Sequence, residues 1–445
     1  MVDGPPGLIT AGNRLNRLLE YQARWRNCEW TSLRSLPFPI LLGHDDVESN
    51  DDGYLTRGTI SAAFLFLNSH FRFIQWISHV QGLEHLEWDI RPPQLNRMID
   101  IDFDVHQDLL ILLEIPEDDG DATRLSVSRL NDGLQHPLAS TTPLVTYGSH
   151  AATQIRIYGP YVTAFTGAQF SLECRFSVYD WKTGVHLLTL WKHWIEAMTF
   201  ISNQYALLIE LDRLSAQFCL WIVDVHRPTN RYVCSLHLPK LGPGMRMTSH
   251  VNVQSGPHSS PHDIHPESCP IFTTDPGYRL VLVTFSVCRN EAFGLFTLAS
   301  NLEKLAEKYQ GDESPASIPW EQWGPENTRI IEITQGAGEN PCVYGTRAII
   351  THADTQLVYD FNQRSIMRKL SRHESGEEPD NIVTAATELT GRETFVGRVT
   401  TSLPYRFTNA GLDIADLDET ILHMGENSII CVPHDSSQHI TALSI

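Results

Sequence analysis

Short apolar segments follow one another along almost the whole chain. Most of them alternate apolar with polar side chains or are rich in β-branched residues, as in RMIDIDFDV (97–105), YALLIEL (205–211) and YRLVLVTFSV (278–287). Gly, Pro, Asn and Asp bound these segments, and this is the pattern of short strands joined by turns. The sequence therefore predicts an all-β fold.

Two segments show the helical spacing of apolar side chains instead. Residues 11–28 form an amphipathic pattern whose apolar side consists of Leu15, Leu18, Leu19, Gln22 and Trp25. A helix with such a face needs a surface on which to dock. Residues 300–309 form a shorter pattern, with Ser300 or Asn301 at the cap position.

The predicted strands recur in a repeat. Four segments share an apolar strand that ends in a turn: LSVSRLNDG (125–133), FSVYDWKTG (176–184), LWIVDVHRPTN (220–230) and LVYDFNQRS (357–365). Aligning Leu130, Trp181, Val225 and Phe361 gives spacings of 51, 44 and 136, and Leu298 divides the last into 73 and 63. A unit of about 45 to 60 residues fits one four-stranded blade of a β-propeller. One further blade at each end favours seven blades, with six as the alternative.

The same pattern divides the chain into two parts. Residues 1–34 are expected to hold the N-terminal helix, and residues 35–445 the propeller. Segments 239–270 and 309–328 are rich in Pro, Gly and Ser and are predicted to be surface-loop insertions. A strand from residues 35–66 is expected to complete the last blade, because closure removes exposed sheet edges.

Charge and cysteine usage narrow the functional classes. The 445 residues hold 33 Lys and Arg against 53 Asp and Glu, a formal net charge of −20. Such a charge repels phosphates, so neither nucleic acid nor a membrane is expected as a partner. The eight cysteines are scattered without a C-x-x-C pair, and the N-terminus lacks the pattern of a secretory signal. A cytoplasmic or nuclear protein is expected.

Residues 100–108 are the strongest candidate for chemistry. On an extended strand, alternate positions share one face, and in DIDFDVHQD these positions are Asp100, Asp102, Asp104, His106 and Asp108. Such a row could bind a hard cation or act as catalytic carboxylates. The favoured interpretation is that the strand ends near Asp104, that Asp104–Asp108 form a turn, and that the acids are solvated or cap backbone amides.

No other motif points to an enzyme or a cofactor. The one His/Cys cluster has no zinc-ligand spacing and is interpreted as a loop: His250, His258, His262, His265 and Cys269. Nucleophile-elbow, phosphate-loop and dinucleotide motifs are absent from the sequence. The sequence predicts a non-enzyme without cofactor or metal.

Three tryptophans are candidate partner-binding residues. Trp320 and Trp323 lie in PWEQW, between Pro319 and Pro325, and Trp25 lies on the predicted helix. Exposed tryptophans are typical binding hot spots. The alternative for Trp320 and Trp323 is that they anchor their loop to the propeller.

Several segments resemble F-box proteins of mushroom-forming (basidiomycete) fungi. The most specific are IPWEQWGPENTR (318–329), YGTRAII (344–350) and VYDFNQ (358–363). The segment AGNRLNRLLEYQARWRNCEW (11–30) is similar to the helix that links the F-box to the C-terminal region of that family. The resemblance implies a WD-repeat-like propeller that selects substrates for a cullin-RING ubiquitin ligase. The F-box is expected upstream of this helix, and no such segment is found in the sequence.

The predicted function is a protein–protein interaction module. Its expected partners are substrate proteins and, where an F-box lies upstream, the ligase adaptor. Two alternatives stay open: a ubiquitin-independent propeller scaffold, and a propeller hydrolase or lyase with carboxylates and a metal in its central channel. The placement of Asp100, Asp102 and His106 distinguishes the enzyme from the other two.

Overall fold

The structure is a computed structural model of the 445-residue chain. It describes residues 2–3, 10–37, 52–57, 59–65, 70–91, 97–115, 122–142, 144–147, 153–166, 174–192, 195–212, 217–227, 231–256, 272–273, 275–287, 291–312, 314–333, 341–352, 355–371, 381–389, 394–412, 420–433 and 439–445. The chain divides into two compact units. Unit 1 comprises residues 1–192, 257–274 and 419–445, and unit 2 comprises residues 193–256 and 275–418.

Unit 1 contains four antiparallel four-stranded sheets, here called blades 1, 2, 3 and 7. Blade 1 has strands Asp52–Arg57, Ile60–Leu65, His70–Gln75 and Leu86–Ile90, and blade 2 has Arg97–Asp104, Leu109–Ile115, Ala122–Arg129 and Leu144–Tyr147. Blade 3 has Thr153–Tyr158, Tyr161–Thr166, Cys174–Asp180 and His186–Lys192. Blade 7 joins Thr420–Met424, Ser428–Pro433 and His439–Ser444 to the N-terminal strand Ser32–Pro37. The predicted closing strand is therefore confirmed, a few residues earlier than expected.

Unit 2 contains blades 4, 5 and 6. Blade 4 has strands Ile195–Phe200, Tyr205–Asp212, Gln217–Asp224 and Tyr232–His237, and Ala316–Ile318 pairs with the last of them in parallel. Blade 5 has Met247–Ser255, Leu280–Val287, Glu291–Leu298 and Thr328–Ile333. Blade 6 has Cys342–Tyr344, Arg347–His352, Thr355–Asp360 and Tyr405–Asn409, with Ile382–Val383 on its edge. Two small sheets pair Val2–Asp3 with Phe272–Thr273 and Thr387–Leu389 with Val399–Thr401.

One hydrogen bond recurs in every blade. The residue directly after the third strand donates its backbone N–H to a carbonyl in the turn between the first and second strands. The seven donors, with their acceptors, are Trp76 (Thr59), Leu130 (Asp108), Trp181 (Pro160), Val225 (Gln204), Ala299 (Arg279), Phe361 (Thr346) and Ile445 (Asn427), at N to O distances of 2.8–3.2 Å. The repeat aligned from the sequence is thus confirmed, with Ala299 in place of the neighbouring Leu298. The chain is an all-β, seven-bladed β-propeller.

Helix α1 (Ala11–Asn27) confirms the predicted N-terminal helix, but it docks through Tyr21 and only part of the predicted apolar side. Tyr21 donates from its hydroxyl to the Glu426 carbonyl at 2.6 Å, and Trp25 donates from Nε1 to the same oxygen at 3.2 Å. Leu15 and Leu19, predicted on the docking face, are 54% and 48% exposed. The helix buries the two aromatic residues because each brings both apolar area and a polar group that reaches the blade 7 turn.

The two predicted loop insertions are partly regular structure. Segment 239–270 contains the first strand of blade 5, Met247–Ser255, and its residues 257–270 lie outside the described part of the chain. Segment 309–328 contains strand Ala316–Ile318 and helix α3 (Trp320–Asn327), which follow helix α2 (Ala299–Tyr309). Pro and Gly content gave the wrong prediction here because buried side chains of this segment contribute to the core of unit 2.

Helix α4 (Gln363–Leu370) follows the third strand of blade 6 and was not expected from the sequence. Asn362 caps it by accepting the N–H of Ser365. Ile366 is its only buried residue. The helix therefore lies on the blade surface with most of its side chains outward.

Candidate functional site

The acidic row lies on the first strand of blade 2. That strand ends at Asp104, and a 3₁₀ turn at Val105–Gln107 leads to the second strand. Asp104 accepts the backbone N–H of His106, so it caps the turn as expected. Of the two roles expected for the acids, contact with solvent or with backbone amides, the second applies to Asp102 and Asp104, which are 1% and 9% exposed.

Asp100 and Asp102 hold blade 2 against blade 3. Asp100 Oδ2 accepts the N–H of Ile155, and Asp102 Oδ2 accepts that of Ile157, each at 2.7 Å. On the other side, Arg57 of blade 1 donates from Nε to Asp102 Oδ1 at 2.8 Å. One buried carboxylate therefore joins three successive blades, and its charge is balanced by a guanidinium and by amide donors.

The turn after this strand continues into a second network. Gln107 Nε2 donates to Asp104 Oδ2 at 2.8 Å and to the Gly159 carbonyl at 2.9 Å. Trp181 Nε1 donates to the same carbonyl at 3.2 Å. Burial raises the pKa of Asp104, and the neighbouring His106 opposes that rise. This network fixes the blade 2 turn to the turn between the first and second strands of blade 3.

The enzyme alternative required these acids to meet acids from other blades around a cation. Their partners are instead Arg57, Gln107 and backbone N–H groups. Within the described ranges, His, Cys, Asp and Glu side chains form no group of three or more that could hold a metal ion. The arrangement therefore serves to position the blades. Of the predicted His/Cys cluster, His250 lies in a strand and the other four residues are outside the described part of the chain.

His423 lies on the first strand of blade 7 and is partly buried. Burial lowers its pKa from 6.5 to about 4, and the nearby positive charge of Arg57 acts in the same direction. The imidazole is therefore neutral in the folded protein at pH 7.

Acidification should destabilise the protein through His423. Because the folded-state pKa is lowered, the unfolded chain takes up the proton first, so stability is lost as the pH falls from about 6.5 to about 4. The loss should reach up to about 3 kcal/mol, since each unit of pKa difference corresponds to about 1.4 kcal/mol. Unfolding free energies at pH 7 and pH 4.5 should differ less in His423→Gln than in the wild type. Equal pH dependence in both proteins would contradict this assignment.

The three tryptophans predicted to bind a partner are buried. Trp320, Trp323 and Trp25 are 5%, 0% and 3% exposed. Trp323 donates from Nε1 to the His237 carbonyl at 2.9 Å, and its ring meets that of Trp320 edge to face at 5.3 Å. Gly324 leaves room for this packing, since a Cβ there would lie 2.3 Å from the Trp320 ring. The anchoring alternative agrees with this burial, whereas the surface role would require these segments to open.

An exposed apolar surface lies elsewhere, on the turns between the third and fourth strands of blades 2 and 3. Leu134, Leu138 and Val185 are 55%, 59% and 50% exposed. We call these three residues the turn surface. The sequence analysis missed it, although the aligned repeats held the signal: Leu134 and Val185 each follow the glycine that ends the motif, Gly133 and Gly184.

The two turns are packed against each other. Ser140 donates its N–H to the Trp181 carbonyl at 3.3 Å, and His136 meets the Trp181 ring edge to face at 4.8 Å. Gly184 has a φ of +75°, and a Cβ there would lie 2.5 Å from Ser140 Oγ. Only glycine permits both this backbone conformation and this close approach. These contacts therefore hold the two turns that carry the turn surface in a fixed arrangement.

Two buried cysteines have thiols of low reactivity. Burial raises the pKa of Cys234 and of Cys431 to about 12, so both stay protonated and weakly nucleophilic. None of the helices in the described ranges is long and apolar enough to cross a membrane.

Comparison with known proteins finds similarity only to solved structures. No protein-family model and no curated protein matches the chain. Among solved structures, Hsv2 of Kluyveromyces marxianus is 8% identical with a TM-score of 0.41, covering 89% of this chain and 99% of that one. Hsv2p of Kluyveromyces lactis is 11% identical with a TM-score of 0.28, covering 57% and 68%. An oligogalacturonate lyase in complex with manganese is 9% identical with a TM-score of 0.39, covering 88% and 96%.

Proposed function

We propose that this propeller is a protein-interaction module that binds its partner through the turn surface. The observation that carries the proposal is that Leu134, Leu138 and Val185 are half exposed on two turns that pack against each other. Apolar side chains exposed on neighbouring turns favour an interaction site, because their burial by a partner removes apolar area from water.

The contacts beneath the turn surface support a role in partner binding. The hydrogen bonds and ring contact around Trp181 hold both turns in place before any partner arrives. A surface that is already ordered loses little conformational entropy on binding, which favours affinity.

Disruption of the turn surface should reduce partner capture strongly. The double variant Leu138→Asp/Val185→Asp places two carboxylates in the interface, and we expect at least a 10-fold loss of captured partner, about 1.4 kcal/mol of binding free energy. The measurement is quantitative mass spectrometry of proteins that co-purify with the tagged chain.

Leu33→Asp is the matched control. Leu33 is 70% exposed on the edge strand of blade 7, so the same substitution changes charge and apolar area away from the turn surface. This variant should retain the partners of the wild type. A double variant that retains them equally well would contradict the proposed site.

Within this class, we propose that the module is the substrate-recognition part of an F-box-type ubiquitin ligase receptor. The support is the resemblance of 11–30, 318–329, 344–350 and 358–363 to such proteins, together with the propeller fold. In the structure, the first of these segments contains the helix docked on blade 7. A helix fixed to the propeller would hold an upstream module at a defined distance from the turn surface.

Affinity purification tests the ligase role. The chain is expressed with and without the coding region upstream of its gene model, and the cullin and adaptor are quantified in each eluate. Their recovery only with the upstream region is the expected result. Their absence from both eluates would contradict the ligase role and favour the ubiquitin-independent scaffold.

A further inference from the structure

Serine and threonine residues three positions after an arginine occur four times in this chain. The pairs are Arg246 and Ser249, Arg368 and Ser371, Arg372 and Ser375, and Arg398 and Thr401. Kinases that prefer basic substrates select such spacing, because acidic groups of the kinase pair with cations N-terminal to the acceptor hydroxyl. Sequence alone does not choose among the four.

The structure separates these candidates. Thr401 is 0% exposed and accepts the N–H of Ile330 through Oγ1, so its hydroxyl is enclosed. Ser249 lies inside the blade 5 strand Met247–Ser255, where the pairing with the second strand is irregular between Met247 and Val251. Ser375 lies outside the described residues and is not part of the site. Ser371 is exposed, at the C-terminal cap of helix α4.

The surroundings of Ser371 suit a basophilic kinase. Its hydroxyl bonds only locally, to the Arg368 carbonyl at 3.1 Å, so phosphorylation would break no contact with another blade. Arg368 is exposed at position −3 and Lys369 is partly exposed at position −2. Helix ends fray easily, and side-chain hydrogen bonds hold this helix at its first turn, where Gln363 bonds the Pro404 carbonyl and Arg364 bonds Tyr278. The acceptor and its two cations can therefore enter a kinase cleft together.

We propose that Ser371 is a phosphorylation site for a basophilic protein kinase. Ser371 Oγ forms a bond to the γ-phosphorus of ATP as the bond from that phosphorus to the β–γ bridging oxygen breaks. ADP leaves with the electron pair of that bond, and the hydroxyl proton passes to the catalytic carboxylate of the kinase. The product carries about two negative charges on a helix end that was cationic, where the helix dipole also disfavours an anion.

The test is phosphorylation of the full chain by the catalytic subunit of a kinase that prefers Arg at position −3, with Mg²⁺ and ATP. Intact mass and peptide mapping should show one phosphate on Ser371. Ser371→Ala should lose it, and Arg368→Ala/Lys369→Ala should slow incorporation at least 10-fold. Thr401 serves as the internal control, since it has the same arginine spacing but is 0% exposed, and it should stay unmodified.

Three outcomes would overturn the proposal. The first is that Ser371 carries no phosphate in the full chain while Ser371 of a peptide of residues 364–375 is modified. The second is phosphate on Ser375 alone. The third is an equal rate of phosphate incorporation at Ser371 in Arg368→Ala/Lys369→Ala and in the wild type. Thermal unfolding of each variant at the wild-type midpoint shows that loss of phosphate does not follow from misfolding, because the three substituted side chains lie at the surface.

Discussion

Trp323→Ala should lower the free energy of unfolding by about 4 kcal/mol. The side chain is 0% exposed within the core of unit 2, packs on Trp320 at 5.3 Å and donates to the His237 carbonyl at 2.9 Å. Its removal opens a cavity, takes away the ring contact and leaves the His237 carbonyl without that donor. Chemical denaturation followed by circular dichroism measures the change.

Trp191→Ala is the control for that experiment. Trp191 is 62% exposed on the last strand of blade 3, where Arg175 stacks over its ring at 5.1 Å. Its replacement should cost less than about 1 kcal/mol, since little buried area and only an exposed cation–π contact are lost. Equal losses for the two variants would mean that Trp323 does not anchor its segment in the core.

Asp102→Ala should destabilise the protein by a similar amount, about 4 kcal/mol. The substitution leaves the Arg57 guanidinium without its carboxylate and the Ile157 N–H without its acceptor. Removing one partner of a buried ion pair costs about 3–5 kcal/mol because the remaining charge stays poorly solvated. Denaturation of the variant, compared with the wild type at pH 7, measures the effect.

A double-mutant cycle with Arg57→Met isolates the ion pair from the backbone contacts. The double variant should be more stable than the sum of the two single losses predicts, because no unpaired cation remains. Asp102→Asn should fall between Ala and wild type, since an amide oxygen can still accept one N–H. Additive losses in the cycle would contradict the charge-pairing role and leave only the amide contacts.

The propeller could be predicted because its repeat is local. Each blade places an apolar residue directly after its third strand, and Leu130, Trp181, Val225 and Phe361 are such residues in the sequence. Apolar periodicity and turn residues carry this information over short distances along the chain. The helical pattern of residues 11–28 is local in the same way, so α1 was predicted within one residue of its observed end.

The roles of individual residues were harder to predict from the sequence, because they depend on neighbours that are distant along the chain. Asp102 was expected either in solvent or bonded to backbone amides, and only the fold brings Arg57 and Ile157 to it from the blades on either side. The rotation of α1, which leaves Leu15 and Leu19 exposed, is set by the Glu426 carbonyl at the far end of the chain.

The sequence by itself determined the all-β class, the blade repeat, the N-terminal helix and the strongly acidic surface charge. Tertiary structure decided which tryptophans are buried, which acids join blades and which apolar side chains remain exposed. The physical reason is that burial and charge pairing are properties of pairs of segments, and only folding brings those segments together. Leu138 and Val185 lie 47 positions apart in sequence, and only the fold packs the two turns that carry them against each other.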